Sequence, residues 1–271
     1  MRVQSSPGAQ PGVCVQNQNT SSSSVALAPI ESDGRIGVFN QSSIVFSLLG
    51  DDAFELSAED PRCVLNNRTY IMTYTAHASG ATSWPKSLRQ SIATTRAPLV
   101  PSSWIRHCTP TTCGLREWGY KSGAMIVRDS PPHYMLLYNL SIGSEVDPDH
   151  GRLGARGIVM ATSEDLLHWQ LTGQAVLPTR NASWDRGLVE PGPPPLRLAD
   201  GNHFFVYNSA TFPWDKYYHV GWVILRGDDP AVVVQRSDSP LLLFEDEPFE
   251  VSNSSRFLCN VGNVVFVTGM R

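Results

Sequence analysis

The chain predicts an all-β fold of the β-propeller kind, on three observations. Its strand-like runs are short, rich in Val, Ile, Tyr and Thr, and bounded by turn residues. No segment holds a helical period over 11 residues. A hairpin plan recurs, marked by Tyr74, Tyr138 and Tyr207, which stand 64 and 69 residues apart. Several strands per unit at a fixed period is the pattern left by sheets set around a central channel.

The elements follow in order. Residues 1–34 are rich in Ser, Gln, Asn, Gly and Pro, with four serines at 21–24. Such a composition predicts a disordered or loosely packed lead-in. Residues 35–271 form the propeller domain, opening with a strand over 44–48. The first copy runs from Glu59-Asp60-Pro61-Arg62 through a turn at Asn66-Asn67 to strands over 70–75 and 91–95. The second starts at Lys121 and has strands over 124–127, 134–140, 157–163 and 168–172, with a turn at 129–132. The third starts at Glu190, passes a proline run and a turn at Asp200-Gly201, and continues over 203–208, 218–225 and 231–236. A fourth begins at Asn263 with a strand over 264–267. The period exceeds the ~40–45 residues of WD40 blades, so the blades carry long loops. This amounts to about three full blades and partial ones at both ends. An open ring exposes a sheet edge, so a truncated sequence or a split ring is expected.

Bulk properties exclude some functions. Hydrophobic residues make up 41% and charged residues 17%, a composition able to bury a core. Net charge is −4 without a basic stripe, which disfavours nucleic acid as a partner. No apolar run approaches the ~18 residues of a membrane helix, so no membrane partner is expected. Six Asn-x-Ser/Thr sequons, at Asn19, Asn40, Asn67, Asn139, Asn181 and Asn253, point to an extracellular or secretory-pathway glycoprotein. Met1-Arg2-Val3 is nevertheless followed by Gln, Ser, Pro and Gly and not by an apolar leader core. Either the sequons are decoys or the amino terminus is incomplete. Of the five cysteines, Cys108 and Cys113 are close enough to close a small ring. There is no CxxC or HExxH, and neither a metal nor a cofactor is predicted.

Asp60, Lys121 and Glu190 each lead an inner strand and so converge on the mouth of the channel. Two carboxylates across a pocket are what inverting glycoside cleavage uses, ~6.5–9.5 Å apart, one as acid and one as base for water. Taken singly, each residue has a plainer role: Asp before Pro is often only a turn residue, and a lysine at a strand end is usually solvated.

Together the motifs resemble one family. Ala58-Glu-Asp-Pro-Arg62, Tyr70-Ile-Met-Thr-Tyr-Thr-Ala76, Trp118-Gly-Tyr-Lys-Ser-Gly-Ala124 and Ala161-Thr-Ser-Glu-Asp-Leu-Leu-His-Trp169 are followed, in order, by Val189-Glu-Pro-Gly-Pro-Pro-Pro195, Val206-Tyr-Asn208, Asp228-Asp-Pro230 and Asn263-Val-Val-Phe266. This succession, over roughly residues 36–271, resembles glycoside hydrolase family 130, the β-mannoside phosphorylases and β-mannosidases. The resemblance implies a five-bladed propeller, incomplete here at both ends. It implies Asp60 as general acid, Arg62 as a brace of the pocket, and Lys121 at the substrate or phosphate subsite. Tyr207, Asn208 and His219 are the further substrate-binding candidates, and Glu250 an alternative or second base. Phosphorylases of the family tend to have a Gly-rich form where this chain has Glu190, and His-Arg-Pro where it has Asn139-Leu140. A carboxylate gained and a phosphate-binding arginine lost favour water as the acceptor.

The expected function is therefore inverting hydrolysis of β-mannosides, with Asp60 as acid and Glu190 as base. The alternatives are a phosphorylase, which would use inorganic phosphate as co-substrate and release mannose 1-phosphate, and an inactive carbohydrate-binding fragment. The partner is an oligosaccharide or other β-mannoside; oligomeric state is not predicted. The run Ser163–Trp169 resembles an Asp-box turn staple with no chemistry. One or two of Trp104, Trp118, Trp184 and Trp214 are expected to stack on sugar faces.

Overall fold

The computed structural model describes residues 2–5, 22–27, 32–33, 35, 43–46, 57–77, 88–107, 120–140, 157–211, 218–243 and 265–270. Among them there is no α-helix; the 3-10 structure is the turn Pro101–Ser103 and, just before the strand at 44–46, Ser43. The strands form four antiparallel sheets, each laid down in chain order. The first holds β1 (Arg2–Ser5), β2 (Ser22–Ala26) and β3 (Ile44–Phe46). The second holds β4 (Ser57–Asn66), β5 (Thr69–His77), β6 (Leu88–Thr95) and β7 (Ile105–Arg106). The third holds β8 (Tyr120–Val127), β9 (Tyr134–Leu140), β10 (Gly157–Ser163) and β11 (Gln170–Pro178). In the fourth, β12 (Leu188–Pro191) and β13 (Leu196–Arg197) both pair with β14 (His203–Ala210). Next come β15 (Tyr218–Leu225) and its two partners, β16 (Val233–Arg236) and β17 (Leu242–Leu243).

Local chemistry explains the hairpins. β4 and β5 meet through Asn67 and Arg68, both at positive φ (45° and 66°), the two-residue turn whose twist matches that of paired strands. The Asp165 box is a staple: its Oδ1 accepts from the backbone of Leu167 and His168, and Trp169 Nε1 donates to Leu166 O at 2.9 Å.

The sheets stack in chain order, first on second, second on third, third on fourth. Each interface is a dry cluster. Phe46, Met72 and Tyr74 lie between the first two sheets; Ile71, Ile92, Met125 and Tyr138 between the next; Ile126, Leu137, Val189, Phe205 and Tyr207 between the last two. The middle sheets are thus buried on both faces, which is why β8 reads Ala124-Met-Ile-Val127 without polar alternation. Truncating a fully buried member such as Leu137 to Ala is expected to cost about 2–5 kcal/mol.

The all-β expectation holds, but several details differ. β1 and β2 lie within residues 1–34, and Val25 and Ala26 are buried against the second sheet; a serine-rich strand is held by backbone pairing, which composition does not register. The third copy's inner strand is split into β12 and β13 by its proline run, since proline cannot donate to a ladder. Residues 265–267 are not a strand, yet they dock on the fourth sheet: Val267 N–H donates to Asn208 Oδ1 at 2.8 Å and Asn208 Nδ2 to Val267 O at 3.1 Å. Asn139 is fully buried and its amide donates to Val189 O at 2.6 Å, so that sequon is closed to glycosylation in the folded chain. Trp104 packs edge-on against Phe46, and Trp184 stacks on Tyr207 at 5.8 Å. Trp118, Trp214, Cys108 and Cys113 lie outside the described residues. The four sheets do not close into a ring among the described residues.

Candidate active site

The inner strands of the second, third and fourth sheets all break register near the same point. Glu59 pairs with Thr75 but Arg62 with Thr73, so Asp60 and Pro61 together oppose Tyr74. Lys121 pairs with Asn139 but Ala124 with Leu137, so Ser122 and Gly123 oppose Tyr138. Pro191 pairs with Tyr207, and pairing resumes only at Leu196 with Phe204. A bulge bends its strand and re-aims its side chains. Asp60 and Ser122 sit in these bulges at φ of 50° and 59°, left-handed backbone that costs a non-glycine residue about 1–3 kcal/mol and persists only where the surroundings hold it.

Neighbouring sheets hold it. Ser122 N–H donates to Thr75 Oγ1 at 3.2 Å, Gly123 N–H to Gln90 Oε1 at 2.7 Å, and Thr73 Oγ1 to Gly123 O at 2.7 Å. A Cβ on Gly123 would lie 2.5 Å from Gln90 Cδ, so any side chain there would displace the Gln90 carboxamide that the bulge is bonded to. Arg62, 2% exposed, donates through Nε to Gly192 O at 2.6 Å, through Nη2 to Pro191 O at 2.8 Å, and through Nη1 to Asp60 O at 2.8 Å. One guanidinium thus ties the Asp60 bulge to the interrupted strand that carries Glu190.

Charge concentrates at the same place. Glu190 is fully buried. Lys121 Nζ lies 2.8 Å from its Oε1, and Ser122 Oγ donates to its Oε2 at 3.2 Å. Burial works against the Lys121 ammonium, but the charges of Glu190 and then Asp60 outweigh it and raise its pKa. Lys121 is therefore a cation at neutral pH. Burial, then Glu190 and Asp60, push the Tyr218 phenol far above its usual value, so it stays a hydrogen-bond donor. Burial lowers Arg62 while Asp60 and Glu190 oppose it. Three groups thus sense both carboxylates, which brings Asp60 and Glu190 to one site.

The predicted residues divide accordingly. Asp60, Arg62, Lys121 and Glu190 come together. The register sets Glu59, and not Asp60, level with Lys121 and Glu190; Asp60 is one place further along, in the bulge. Arg62 gives three of its five N–H donors to backbone carbonyls, which ties the Asp60 bulge to the strand of Glu190. Tyr207 is corrected: it points to the opposite face of β14, fully buried, with its hydroxyl donating to Asp185 Oδ2 at 2.9 Å and accepting from Arg236 Nε at 3.1 Å. Asn208 shares the face of Glu190 but clasps Val267. His219 lies edge-on to Trp184 at 6.3 Å, on the Tyr207 side of β15. Its neighbour Tyr218, to which the sequence analysis gives no role, is the residue that meets the carboxylates. Strand alternation was the available signal: Ala210 pairs with both Leu188 and Tyr218, and Leu188 lies two places from Glu190 on the same face. Glu250 lies outside the described residues.

Comparison with known proteins places the chain in a family. Residues 15–270 match the model of glycoside hydrolase family 130, described as beta-1,4-mannooligosaccharide phosphorylase. A 1,2-beta-oligomannan phosphorylase of Thermoanaerobacter sp. (strain X514) is 30% identical over 184 residues, 68% of this chain and 52% of that protein. The chain thus spans about half the length of this curated relative. Among solved structures, the beta-1,2-mannobiose phosphorylase of Listeria innocua superposes with a TM-score of 0.67 at 20% identity, over 91% of this chain and 60% of that one. A structure from work on GH130 glycoside hydrolases that target beta-1,2 mannosidic linkages in Candida mannan superposes at 0.65 and 23% identity, over 92% and 68%. At such identities the superpositions speak for the fold alone. The match over nearly all its length, carried through the strands that hold Asp60, Lys121 and Glu190, shows that this chain belongs to glycoside hydrolase family 130.

Proposed function

We propose that the chain carries the active site of an enzyme that cleaves β-mannosides with inversion, using inorganic phosphate as the acceptor. The observation that carries this is the Lys121 cation held beside Asp60 and Glu190. The family description and the 30%-identical relative, both phosphorylases, support phosphate over water. This reverses the preference drawn from the sequence, in which hydrolysis came first. In the reaction a phosphate oxygen forms a bond to the mannosyl C1 as the C1–O bond to the leaving sugar breaks. Asp60 gives its proton to that leaving oxygen, directly or through a sugar hydroxyl. The products are mannose 1-phosphate and the shortened acceptor. The Lys121 ammonium and the Tyr218 hydroxyl supply donors for the phosphate, and Arg62 keeps the Asp60 bulge in register with the Glu190 strand. In the same reading the stacked sheets are blades of a five-bladed propeller, and residues 265–270 begin the next blade.

One observation favours hydrolysis as the second reading. Glu190 is a fully buried carboxylate inside the site, placed to take a proton from water and to repel an incoming phosphate dianion. Assaying β-1,2- and β-1,4-linked mannobiose with and without phosphate separates the two. Strict phosphate dependence with release of mannose 1-phosphate is expected; free mannose at the same rate in phosphate-free buffer would overturn phosphorolysis.

A further inference from the structure

A second polar cleft lies at the other end of the strands. It is formed by the turns β8–β9, β13–β14 and β15–β16 and has a volume of about 580 Å³. Val127, on its wall, is six residues along β8 from Lys121, which puts the cleft roughly 20 Å from the Lys121–Glu190 pair. The cleft carries three arginines and three aspartates, but their engagement is unequal. Asp200 accepts from Asn202 through both oxygens, at 2.9 Å each. Asp228 is paired with Arg226 at 2.8 Å. Arg197 has only a loose, solvent-screened pairing with Asp129 at 3.9 Å, and Arg128 donates to Asp228 O at 3.3 Å. Beside these guanidiniums His203 is 5% exposed, and its buried Nδ1 has no hydrogen-bond partner among the described residues. Burial, then Arg197 and Arg128, hold this imidazole below its usual pKa, so it is neutral. The acids are thus mostly satisfied by their own neighbours, whereas the forked donors of Arg128 and Arg197 retain capacity for planar or tetrahedral oxygen ligands.

We propose that this cleft is a second ligand site, for a small oxyanion of the phosphate or phosphate-ester class, held by Arg128 and Arg197, with the His203 imidazole in the wall beside them. The volume falls in the range of small-molecule sites and accommodates an ester as well as the bare ion. The site does not depend on whether the Lys121–Glu190 site uses phosphate, and the test separates them. Inorganic phosphate, and in a second arm glycerol 3-phosphate, is titrated into the wild-type chain, Arg197→Ala and Lys121→Ala. Binding is followed by the His203 ring signals in NMR. Arg197 is 71% exposed, so its truncation leaves the fold intact. The expected result is a saturable shift of His203 in wild type and in Lys121→Ala, weakened at least tenfold in Arg197→Ala. No shift at millimolar ligand, the same affinity in Arg197→Ala, or loss of the shift in a Lys121→Ala chain that still shows the folded His203 signals would each overturn the proposal. A response to the ester alone assigns the site to phosphate esters; a response to both assigns it to the oxyanion itself.

Discussion

Lys121 Nζ lies 2.8 Å from Glu190 Oε1, joining the inner strands of the third and fourth sheets through a carboxylate with no exposed surface. Removing one partner of such a pair leaves an uncompensated buried charge, which costs about 3–5 kcal/mol, whereas replacing both is far milder. Lys121→Met is therefore expected to lower the unfolding free energy by roughly 3 kcal/mol, and Lys121→Met with Glu190→Leu to restore most of it. Denaturant midpoints at constant slope measure both. Equal losses in the single and double variants would show that the pair is not a stabilising unit.

Glu190→Gln keeps shape and removes charge, so it reports on the acceptor. If phosphate is the nucleophile, Glu190 only repels it. The variant should then bind phosphate more tightly, with KM for phosphate falling about tenfold, equivalent to ~1.4 kcal/mol, and kcat little changed. If water is the nucleophile, Glu190 is the base and turnover should fall ~10²–10⁴-fold. Initial rates over a phosphate series decide; a collapse of kcat with no phosphate dependence assigns the enzyme to hydrolysis.

Asp60→Asn tests the proton donor without disturbing the bulge. Asparagine tolerates the left-handed backbone that Asp60 adopts at φ 50°. Stability should stay within ~0.5 kcal/mol of wild type, while kcat on an unactivated mannobiose drops ~10²–10⁴-fold. Substrates with a good leaving group, such as nitrophenyl mannosides, need less protonation and should lose less. A uniform loss across leaving groups would assign Asp60 to binding and not to acid catalysis.

Much of this site was legible in the sequence because it rests on repetition. The tyrosine spacing located three inner strands, and their leading residues include both carboxylates and the lysine. The bulges were not legible, since one extra residue in a strand leaves the hydrophobic pattern almost unchanged while altering which residue faces inward. Asp60 and Lys121 therefore looked equivalent although the register makes Glu59 the counterpart of Lys121. The choice of His219 over Tyr218 has a similar origin: the pair adjoins in sequence, but alternation sends them to opposite faces, and only pairing with Ala210 fixes which face is which. Asn208 was assigned by motif, yet its amide is engaged by the Val267 backbone, a long-range contact that a single sequence does not reveal.

Tyr218→Phe follows from that correction. The ring keeps its packing against Phe266, 5.8 Å away, and only the hydroxyl is lost. Loss of a donor to a charged group is worth about 1.5–3 kcal/mol, so kcat/KM should fall at least tenfold. His219→Gln, on the Trp184 side, should leave kcat/KM within about twofold. The reverse pattern would return His219 to the site.

Acid should destabilise the chain in two stages. Burial holds His203, His219 and His107 below the usual 6.5. The unfolded chain then binds more protons than the folded one as pH falls through 6.5, so stability declines from that point downward. Asp185 behaves as a carboxylate. Burial opposes its ionisation, but the hydrogen bond from Arg180 and the charge of Arg236 outweigh burial and lower its pKa below 3.8. Arg236 Nη2 is 2.5 Å from Oδ2 and Arg180 Nη2 is 2.9 Å from the same atom. That contribution is present above 3.8 and is lost only as pH falls through the lower folded value. Thermal midpoints should therefore drop between pH 7 and 5 through the histidines, and drop again near pH 4 and below through Asp185. Asp185→Asn is expected to cost about 3–5 kcal/mol at pH 7, because two partly buried arginines lose their counter-charge. It should also shrink the second stage, leaving the part carried by the Asp165 turn, while sparing the first. A midpoint flat from pH 7 to 5 would show that the three imidazoles are not held neutral by the fold.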